Sequence, residues 1–355
     1  MQERKFKVLF IGAGAVCSYL GSCLTRAGHD ITLVDAWAEQ IEAVRAGGIY
    51  VTGPHEPFVA RPKAVHLTES AKLGSNFDMA FVGLKAYDTA WATQLVLRHL
   101  SPNGFVVSAQ NCWVDPIVAS VAGAARSMGL IMSKIFMTLM KPGHVDRGID
   151  KGQSSGHYVV FRVGEHDEKV SPRATEVATM LSVVDLAEAT DNLWGERWSK
   201  LCQNGMSNPV QAMTGFGSVE VLSSKAGRTI TIHLAAESAR VGLKLGYRIP
   251  NFGGAPPEKW ASADQPATYE ELDRLLTPGS EARLNWRSSM AQDAIKGRRT
   301  EIDFMNGHIV SMGREVGVET SVSAAVVGIV REIDAEKRKP SVDTMELVLR
   351  RAGVG

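Results

Sequence analysis

FKVLFIGAGAVCSYLGSCLTRAGHDITLVD, residues 6–35, decides the fold. FKVLFI is an uninterrupted apolar run of strand length, GAGAV follows as a glycine-rich turn, the stretch up to Gly28 has the length of a helix, and ITLVD returns as a second strand. Strand, glycine turn, helix and strand in that order form the βαβ unit that binds dinucleotides. Gly12 is expected to make the tight turn and Gly14 to let the backbone approach a pyrophosphate. Gly12, Ala13, Gly14, Ala15 and Val16 together would line it with the free amides of the helix N-terminus. Cys17 stands at the third fingerprint position, where glycine or alanine is usual, and its larger side chain is expected to loosen the approach of helix to strand. Asp35 ends the second strand roughly twenty residues further on, where a carboxylate accepts hydrogen bonds from the ribose hydroxyls and repels a 2′-phosphate. That favours NAD over NADP as cofactor. The other reading of Asp35 is an ordinary strand-end acid ahead of a helix.

Strands and helices keep alternating through the first half. FDMAFVGLK, residues 77–85, reads as a buried parallel strand with Lys85 at its carboxyl end, the edge of the sheet where ligands bind. Lys85 either approaches a cofactor phosphate or substrate carboxylate, or opens the helix AYDTAWATQLVLRHL. FVVSA then leads into Gln110 and Asn111, and the Asn111 amide offers a donor and an acceptor to a nicotinamide or a substrate oxygen, or makes an Asx-turn. WVDPIVASVAGA is the next helix. IMSKIFMTLMKPGHVDRG and GHYVVFRVGE are expected to be two strands around a loop, forming an added antiparallel pair, before the helix SPRATEVATMLS and a last strand in VVDLAEAT. From about residue 191 helical patterning takes over. The fold class is therefore α/β: a Rossmann-type dinucleotide-binding domain over 1–190, followed by a mainly α-helical domain over 191–355 for substrate binding and catalysis.

Composition narrows the function. The chain has 355 residues, 45% hydrophobic, with 39 Lys plus Arg against 38 Asp plus Glu, so no basic groove for nucleic acid and no polybasic membrane patch is expected. MQERKF carries neither the apolar core nor the cleavage signature of a secretory signal, and no apolar run reaches membrane-spanning length, which together suggest a soluble, cytoplasmic protein. Cys17, Cys23, Cys112 and Cys202 have no paired metal spacing, and His144 and His157 have no ligand constellation, so no metal is expected.

The second half opens on WGERWSKLCQNGMSNPVQAMTG, residues 194–215. Helical spacing sets Lys200, Asn204 and Asn208 along one side of a single helix, a cation and two carboxamides that are costly to bury without partners. Residues 227–245 form a second helix with Glu237 and Arg240 one turn apart, and residues 246–285 read as an irregular lid, an interface loop or a surface insertion. NWRSSMAQDAIKGRRTEIDFMNGHIVSMGREVG, residues 285–317, is dense in polar groups. Glu301 shares a helical face there with Met305, and Ile302 with Asn306. Glu301 is the acid chosen to orient a substrate hydroxyl or Lys200. The terminal SVDTMELVLRRAG offers apolar positions for a homodimer contact.

These stretches, taken together, resemble the ketopantoate reductase family, the 2-dehydropantoate 2-reductases. The resemblance is carried by GAGAV, by Lys85 and Gln110-Asn111, by Trp198, Lys200, Leu201, Asn204 and Asn208, and by the SSMxQDxxxGRxTEIDxxNG pattern from Ser288 to Gly307. It implies a small 2-oxo acid as substrate, reduced at its ketone to a 2-hydroxy acid. It also implies that Lys200 is the catalytic lysine and Glu301 its acidic partner. Asn204 and Asn208 would position the substrate, Ser289 would hold its carboxylate, and Asn111 would lie beside nicotinamide and substrate. An ammonium next to the ketone could both stabilise the growing negative charge and supply the proton. Burial would lower the pKa of Lys200, whereas a nearby Glu301 would oppose that shift. The chain departs from the family pattern at Asp35, at Cys112-Trp113 where a glycine often follows Gln-Asn, at Ser321 where a proline is common, and in the long 246–285 segment. A dehydrogenase for a larger or aromatic substrate near Trp113, and a non-catalytic NAD-binding sensor or scaffold, remain alternatives.

Overall fold

The computed structural model describes residues 4–152, 158–279 and 285–354. His157, the start of GHYVVFRVGE and a short part of the 246–285 segment lie outside the described residues. The chain divides into two compact units between Leu193 and Trp194.

The first unit carries strands β1 (Lys7–Ile11), β2 (Asp30–Asp35), β3 (Ile49–Thr52), β4 (Phe58–Ala60), β5 (Lys63–His66), β6 (Phe77–Val82), β7 (Leu100–Ser108), β8 (Ser127–Met132), β9 (Met137–Lys141), β10 (His144–Arg147), β11 (Phe161–Gly164) and β12 (Ala187–Thr190). Its helices are α1 (Ala15–Arg26), α2 (Ala38–Gly47), α3 (Thr89–Leu97), α4 (Asp115–Ala122) and α5 (Pro172–Leu181). Eight strands form the main sheet in the order β12-β11-β8-β7-β6-β1-β2-β5. From β8 to β5 every pairing is parallel. The chain winds outward from β1 to β2 and β5, then crosses back to β6 and β7, so the strand order reverses beside β1, where doubly wound sheets open a ligand crevice.

The apolar run of β1 is continuous because both faces of the strand are covered. Val8 and Phe10 pack with Tyr19, Leu20 and Leu24 of α1. Leu9 and Ile11 pack on the other side with Ala92, Val96 and Val118 of α3 and α4. The expected antiparallel pairing of the two stretches forms only where Ile131 and Met132 meet Arg162 and Phe161, and the rest is arranged differently. β8 is a parallel strand of the main sheet, β11 runs antiparallel beside it, and β9 and β10 form a hairpin in a separate four-stranded sheet of order β4-β3-β10-β9. Alternating exposure explains this: Thr138 and Met140 of β9 face solvent, which a strand of a doubly covered sheet cannot do.

The second unit is helical: α6 (Leu193–Gly205), α7 (Asn208–Thr214), α8 (Ser218–Ser223), α9 (Lys225–Lys244), α10 (Pro257–Ala261), α11 (Pro266–Leu276), α12 (Ser289–Ile295), α13 (Asn306–Val316), α14 (Ser321–Asp334) and α15 (Thr344–Ala352). α9 is its axis, packed by α8, α10, α11, α13, α14 and α15. Glu237 of α9 is buried. Its two oxygens accept the Val322 and Ser323 amides at 2.8 Å each, capping α14, whose own N-cap Thr320 makes no side-chain cap. Burial pushes the Glu237 carboxyl pKa up. The apolar face of α15 is used inside the unit, with Met345 and Val348 buried against α14 and α9 and the Thr344 hydroxyl donating to Met213 O. Among the described residues no helix is long and apolar enough to cross a membrane, and no group of side chains could hold a metal.

Two expected helical registers are broken. The helix over 194–215 is interrupted at Met206 and Ser207, so Asn208 opens a new helix instead of continuing the line of Lys200 and Asn204. Pro209 at the first turn of α7 disfavours helical backbone in the residue before it and cannot donate to the preceding turn. The Asn306 side-chain amide takes the carbonyl of Gly205 at 3.0 Å and closes the end of α6. Glu301 likewise lies outside a helix: a single 3-10 turn spans Ile302–Phe304, and Met305, with φ −109° and ψ −95°, breaks the chain before α13. The shared faces expected for Glu301 with Met305 and for Ile302 with Asn306 therefore do not form.

Candidate functional site

The glycine turn stands at the carboxyl ends of β1 and β6. Gly12 has φ +102°, and a Cβ there would stand 3.1 Å from Gly83 O, so only glycine fits without strain. Gly12 N–H donates to Val34 O at 2.8 Å and Gly83 N–H to Ile11 O at 3.0 Å, which knits the strand ends around the turn. Cys17 is fully buried, and a Cβ on Gly83 would meet its sulfur at 2.1 Å. The larger third fingerprint residue is thus accommodated by a missing side chain on the facing strand, and α1 is not pushed away. Burial raises the Cys17 thiol to about 12, so it is a packing residue.

Gly14 is exposed, with no protein atom within 4 Å of a Cβ position, and it is the N-cap of α1. Among the described residues nothing accepts from the amides of Gly14, Ala15 and Val16. Three free amides at a helix N-terminus and an open approach over Gly14 fit a dinucleotide pyrophosphate. Asp35 has work within the fold as well: Oδ2 accepts the Ala13 amide at 2.5 Å and Oδ1 the Trp37 amide at 2.8 Å. Each oxygen keeps a second lone pair for a ribose hydroxyl.

Lys85 caps a short 3-10 turn just beyond β6. Gln110 is buried there, and its amide donates to Leu84 O at 2.8 Å and Thr89 Oγ1 at 2.9 Å, locking the segment that carries Lys85 to the end of β7. Asn111 follows, half-buried, and then Cys112, buried with φ +70°. The cysteine holds the left-handed backbone that a glycine would adopt, so the departure from Gln-Asn-Gly changes the side chain and keeps the turn.

In the helical unit Lys200 is half-buried on α6, one turn before Asn204. Among the described residues its ammonium makes no hydrogen bond and no ion pair, so it is not paired with Glu301. Burial, followed by the positive charge of Arg197, draws its pKa down from 10.5 to about 8. Of the two opposing influences weighed from sequence, desolvation prevails, and the second influence is a cation one turn back. Arg197 is itself buried, and its i, i+3 spacing to Lys200 was the signal for this coupling.

Asn208 is buried beside Ser207, whose hydroxyl donates to its Oδ1 at 3.3 Å. Its carbonyl accepts the Ser288 hydroxyl at 3.5 Å, which draws α7 and α12 together. Ser288 is also the N-cap of α12, while Ser289 next to it is exposed. Glu301 is buried at 7% exposure. Thr300, just before it, is anchored through its amide and hydroxyl to the Asp334 carboxylate. Asp303 turns outward to Arg331 at 2.7 Å, so part of the polar density of this stretch is surface ion pairing.

Residues 8–153 match the family described as Ketopantoate reductase PanE/ApbA, and residues 192–334 match Ketopantoate reductase PanE/ApbA C terminal. A 2-dehydropantoate 2-reductase of Archaeoglobus fulgidus is 28% identical over 337 residues, spanning 93% of this chain and 98% of its own length. Among solved structures, a PanE/ApbA family ketopantoate reductase from Ralstonia eutropha JMP134 is similar with a TM-score of 0.74 at 22% identity, over 93% of this chain and 99% of that one. D-mandelate dehydrogenase, solved as a ternary structure with NADH and anilino(oxo)acetate, gives a TM-score of 0.74 at 20% identity with coverage of 93% and 99%.

Proposed function

This chain belongs to the PanE/ApbA ketopantoate reductase family and is an NAD(P)-dependent oxidoreductase of that type, and from this premise we propose that it reduces the ketone of a small 2-oxo acid to a 2-hydroxy acid, with NADH as the favoured reductant. In this reading the amides of Gly14, Ala15 and Val16 hold the pyrophosphate over the turn made by Gly12 and Ala13. Asp35 holds the ribose, with Lys85 and Asn111 further along the cofactor site. Reduced nicotinamide, when bound, supplies the hydride.

Lys200 stabilises the charge that grows on the carbonyl oxygen and gives that oxygen a proton. Asn204, Asn208 and Ser289 hold the acid, and Glu301 orients its polar groups. The observation that carries the proposal is the Lys200 ammonium itself, drawn out of water with no anion beside it among the described residues. A cation left unpaired in a folded protein is disfavoured, and an anionic substrate carboxylate and a developing alkoxide would relieve it. The preference for NADH rests on the Asp35 carboxylate at the strand end. The four cysteines, all free and buried, support a cytoplasmic setting.

A second reading concerns substrate size. Trp113 follows the left-handed Cys112, and D-mandelate dehydrogenase, which shares the fold, was solved with an aromatic oxo-acid ligand. An aromatic 2-oxo acid is therefore the alternative substrate class. Parallel turnover of NADH and NADPH against a panel of 2-oxo acids, ketopantoate and aromatic members included, tests both readings. Oxidation of NADH only with a 2-oxo acid is expected. A strong NADPH preference would remove the role given to Asp35, and binding of NADH with no turnover across the panel would leave a sensor.

A further inference from the structure

Helix α2 buries a carboxamide on its apolar face. Gln40 is fully buried in register with Val44 and next to Ile41, a position where its polar atoms would be costly without partners. Its Nε2 donates to Ala13 O and to Ser18 Oγ, each at 3.1 Å, and its Oε1 accepts the Gly143 amide at 2.8 Å in the turn between β9 and β10. Ser18, also buried, donates its hydroxyl to the same Ala13 carbonyl at 2.9 Å.

The geometry of the peptide bond gives this arrangement its consequence. The Ala13 carbonyl and the Gly14 amide belong to one planar trans peptide, so their C=O and N–H bonds point in opposite directions. Fixing the carbonyl inward on Gln40 and Ser18 aims the Gly14 N–H outward. The peptide before it is held as well, because the Ala13 amide is taken by Asp35. Without the two inward donors the Ala13–Gly14 peptide could rotate, and the first amide of the turn would lose its direction.

We propose that Gln40 is a positioning residue for the dinucleotide, holding the Ala13–Gly14 peptide so that the Gly14 amide faces a pyrophosphate oxygen, and tying that peptide to the β9–β10 hairpin of the small sheet. The inference rests on the reading of this turn as the cofactor site. It separates two roles in the turn: Gly14, Ala15 and Val16 touch the ligand, while Gln40 and Ser18 set the orientation from behind.

The test compares Gln40→Leu, Ser18→Ala and their combination with Val44→Ala, a cavity made on the same helix away from the turn. Cofactor dissociation constants are measured by NADH and NADPH fluorescence titration, alongside kcat, the KM for the oxo acid at saturating cofactor, and thermal melting. Gln40→Leu is expected to weaken cofactor binding about tenfold while kcat at saturation stays within about threefold, because the group acts on binding and not on the reacting atoms. Ser18→Ala should weaken binding about threefold, and the double variant less than the product of the two, since both act through one carbonyl. Should Gln40→Leu fail to fold, Ser18→Ala decides alone. Unchanged cofactor affinity in the variants, or an equal loss in Val44→Ala, overturns the inference while leaving the cofactor site in place. A wild-type protein that binds neither NADH nor NADPH overturns both.

Discussion

The glycine turn of the first unit and the Lys200 segment of the second handle their polar groups in opposite ways. In the first, the Ala13 amide meets Asp35, its carbonyl meets Gln40 and Ser18, and the strand ends meet through Gly12 and Gly83, so the amides left over are those a ligand can use. In the second, Lys200 is half out of water with no partner among the described residues and a cation one turn away. The first arrangement stabilises the fold and pre-forms a binding surface. The second works against the fold, and it is the one suited to chemistry, since a group already satisfied in the ground state has less to offer a transition state.

The largest test of this contrast is removal of the lysine. Lys200→Met is expected to lower kcat by ~10³-fold or more while leaving cofactor affinity intact, measured by steady-state NADH oxidation and fluorescence titration. Unchanged turnover would remove Lys200 from the mechanism. Its stability should move the other way. An amine whose folded pKa lies below the unfolded value of 10.5 binds its proton less tightly in the fold, so its penalty is fully present below about pH 8 and fades as pH rises toward 10.5. Lys200→Met should therefore melt higher than wild type near neutral pH, with the difference shrinking between about 8 and 10.5.

The cofactor turn should fail by the opposite route. Gly12→Val forces a β-branched residue into φ +102° against Gly83 O and is expected to cost on the order of 3 kcal/mol, with loss of measurable cofactor binding. Here stability and function should fall together. A Gly12→Val protein that melts like wild type and still binds NADH would contradict the strained turn.

A smaller effect sharpens the account of Lys200. With Lys200 as the proposed proton donor, kcat should be level below about pH 8 and fall roughly tenfold per unit above it. Because the Arg197 charge helps draw that pKa down, Arg197→Gln should carry the descending limb to higher pH. A limb that does not move would leave burial as the sole cause.

These contrasts were unevenly visible in the amino-acid order. The βαβ unit was legible because a strand covered on both faces is apolar throughout, as Val8 to Ile11 are, and because the turn glycines are local. Lys200 and its neighbours were legible as polar groups on a helix, but the direction of the lysine's shift depended on what stood next to it in space. The compensation of Cys17 by Gly83 joins residues from different strands and helices and appears only once β1 and β6 pair. Asp35 read as a ligand residue, and its bond to Ala13 depends on how the turn folds back. Gln40 carries no local signal, because only the folded turn brings its carboxamide to Ala13 O and the Gly143 amide. The break at Ser207 had a visible cause in Pro209, yet the even spacing of Lys200, Asn204 and Asn208 suggested an unbroken helix.

Cys112 gives the smallest prediction and the one closest to the border between the two ways of handling polar groups. Its φ of +70° is a backbone that glycine adopts freely and other residues at a cost of about 1 kcal/mol or more. Cys112→Gly gains back that strain and gives up the contacts of a buried thiol, so the two terms should nearly cancel and the melting temperature should shift by only a few degrees. Cys112→Val keeps the strain and adds a second branch at Cβ, so it should melt lower than either, by about 1–3 kcal/mol of stability. Both variants remove the sulfur, so their difference reads the left-handed backbone together with the bulk that valine adds. If Val and Gly melt alike, the left-handed turn after Asn111 is not what holds that segment, and the similarity to a Gln-Asn-Gly turn ends at the sequence.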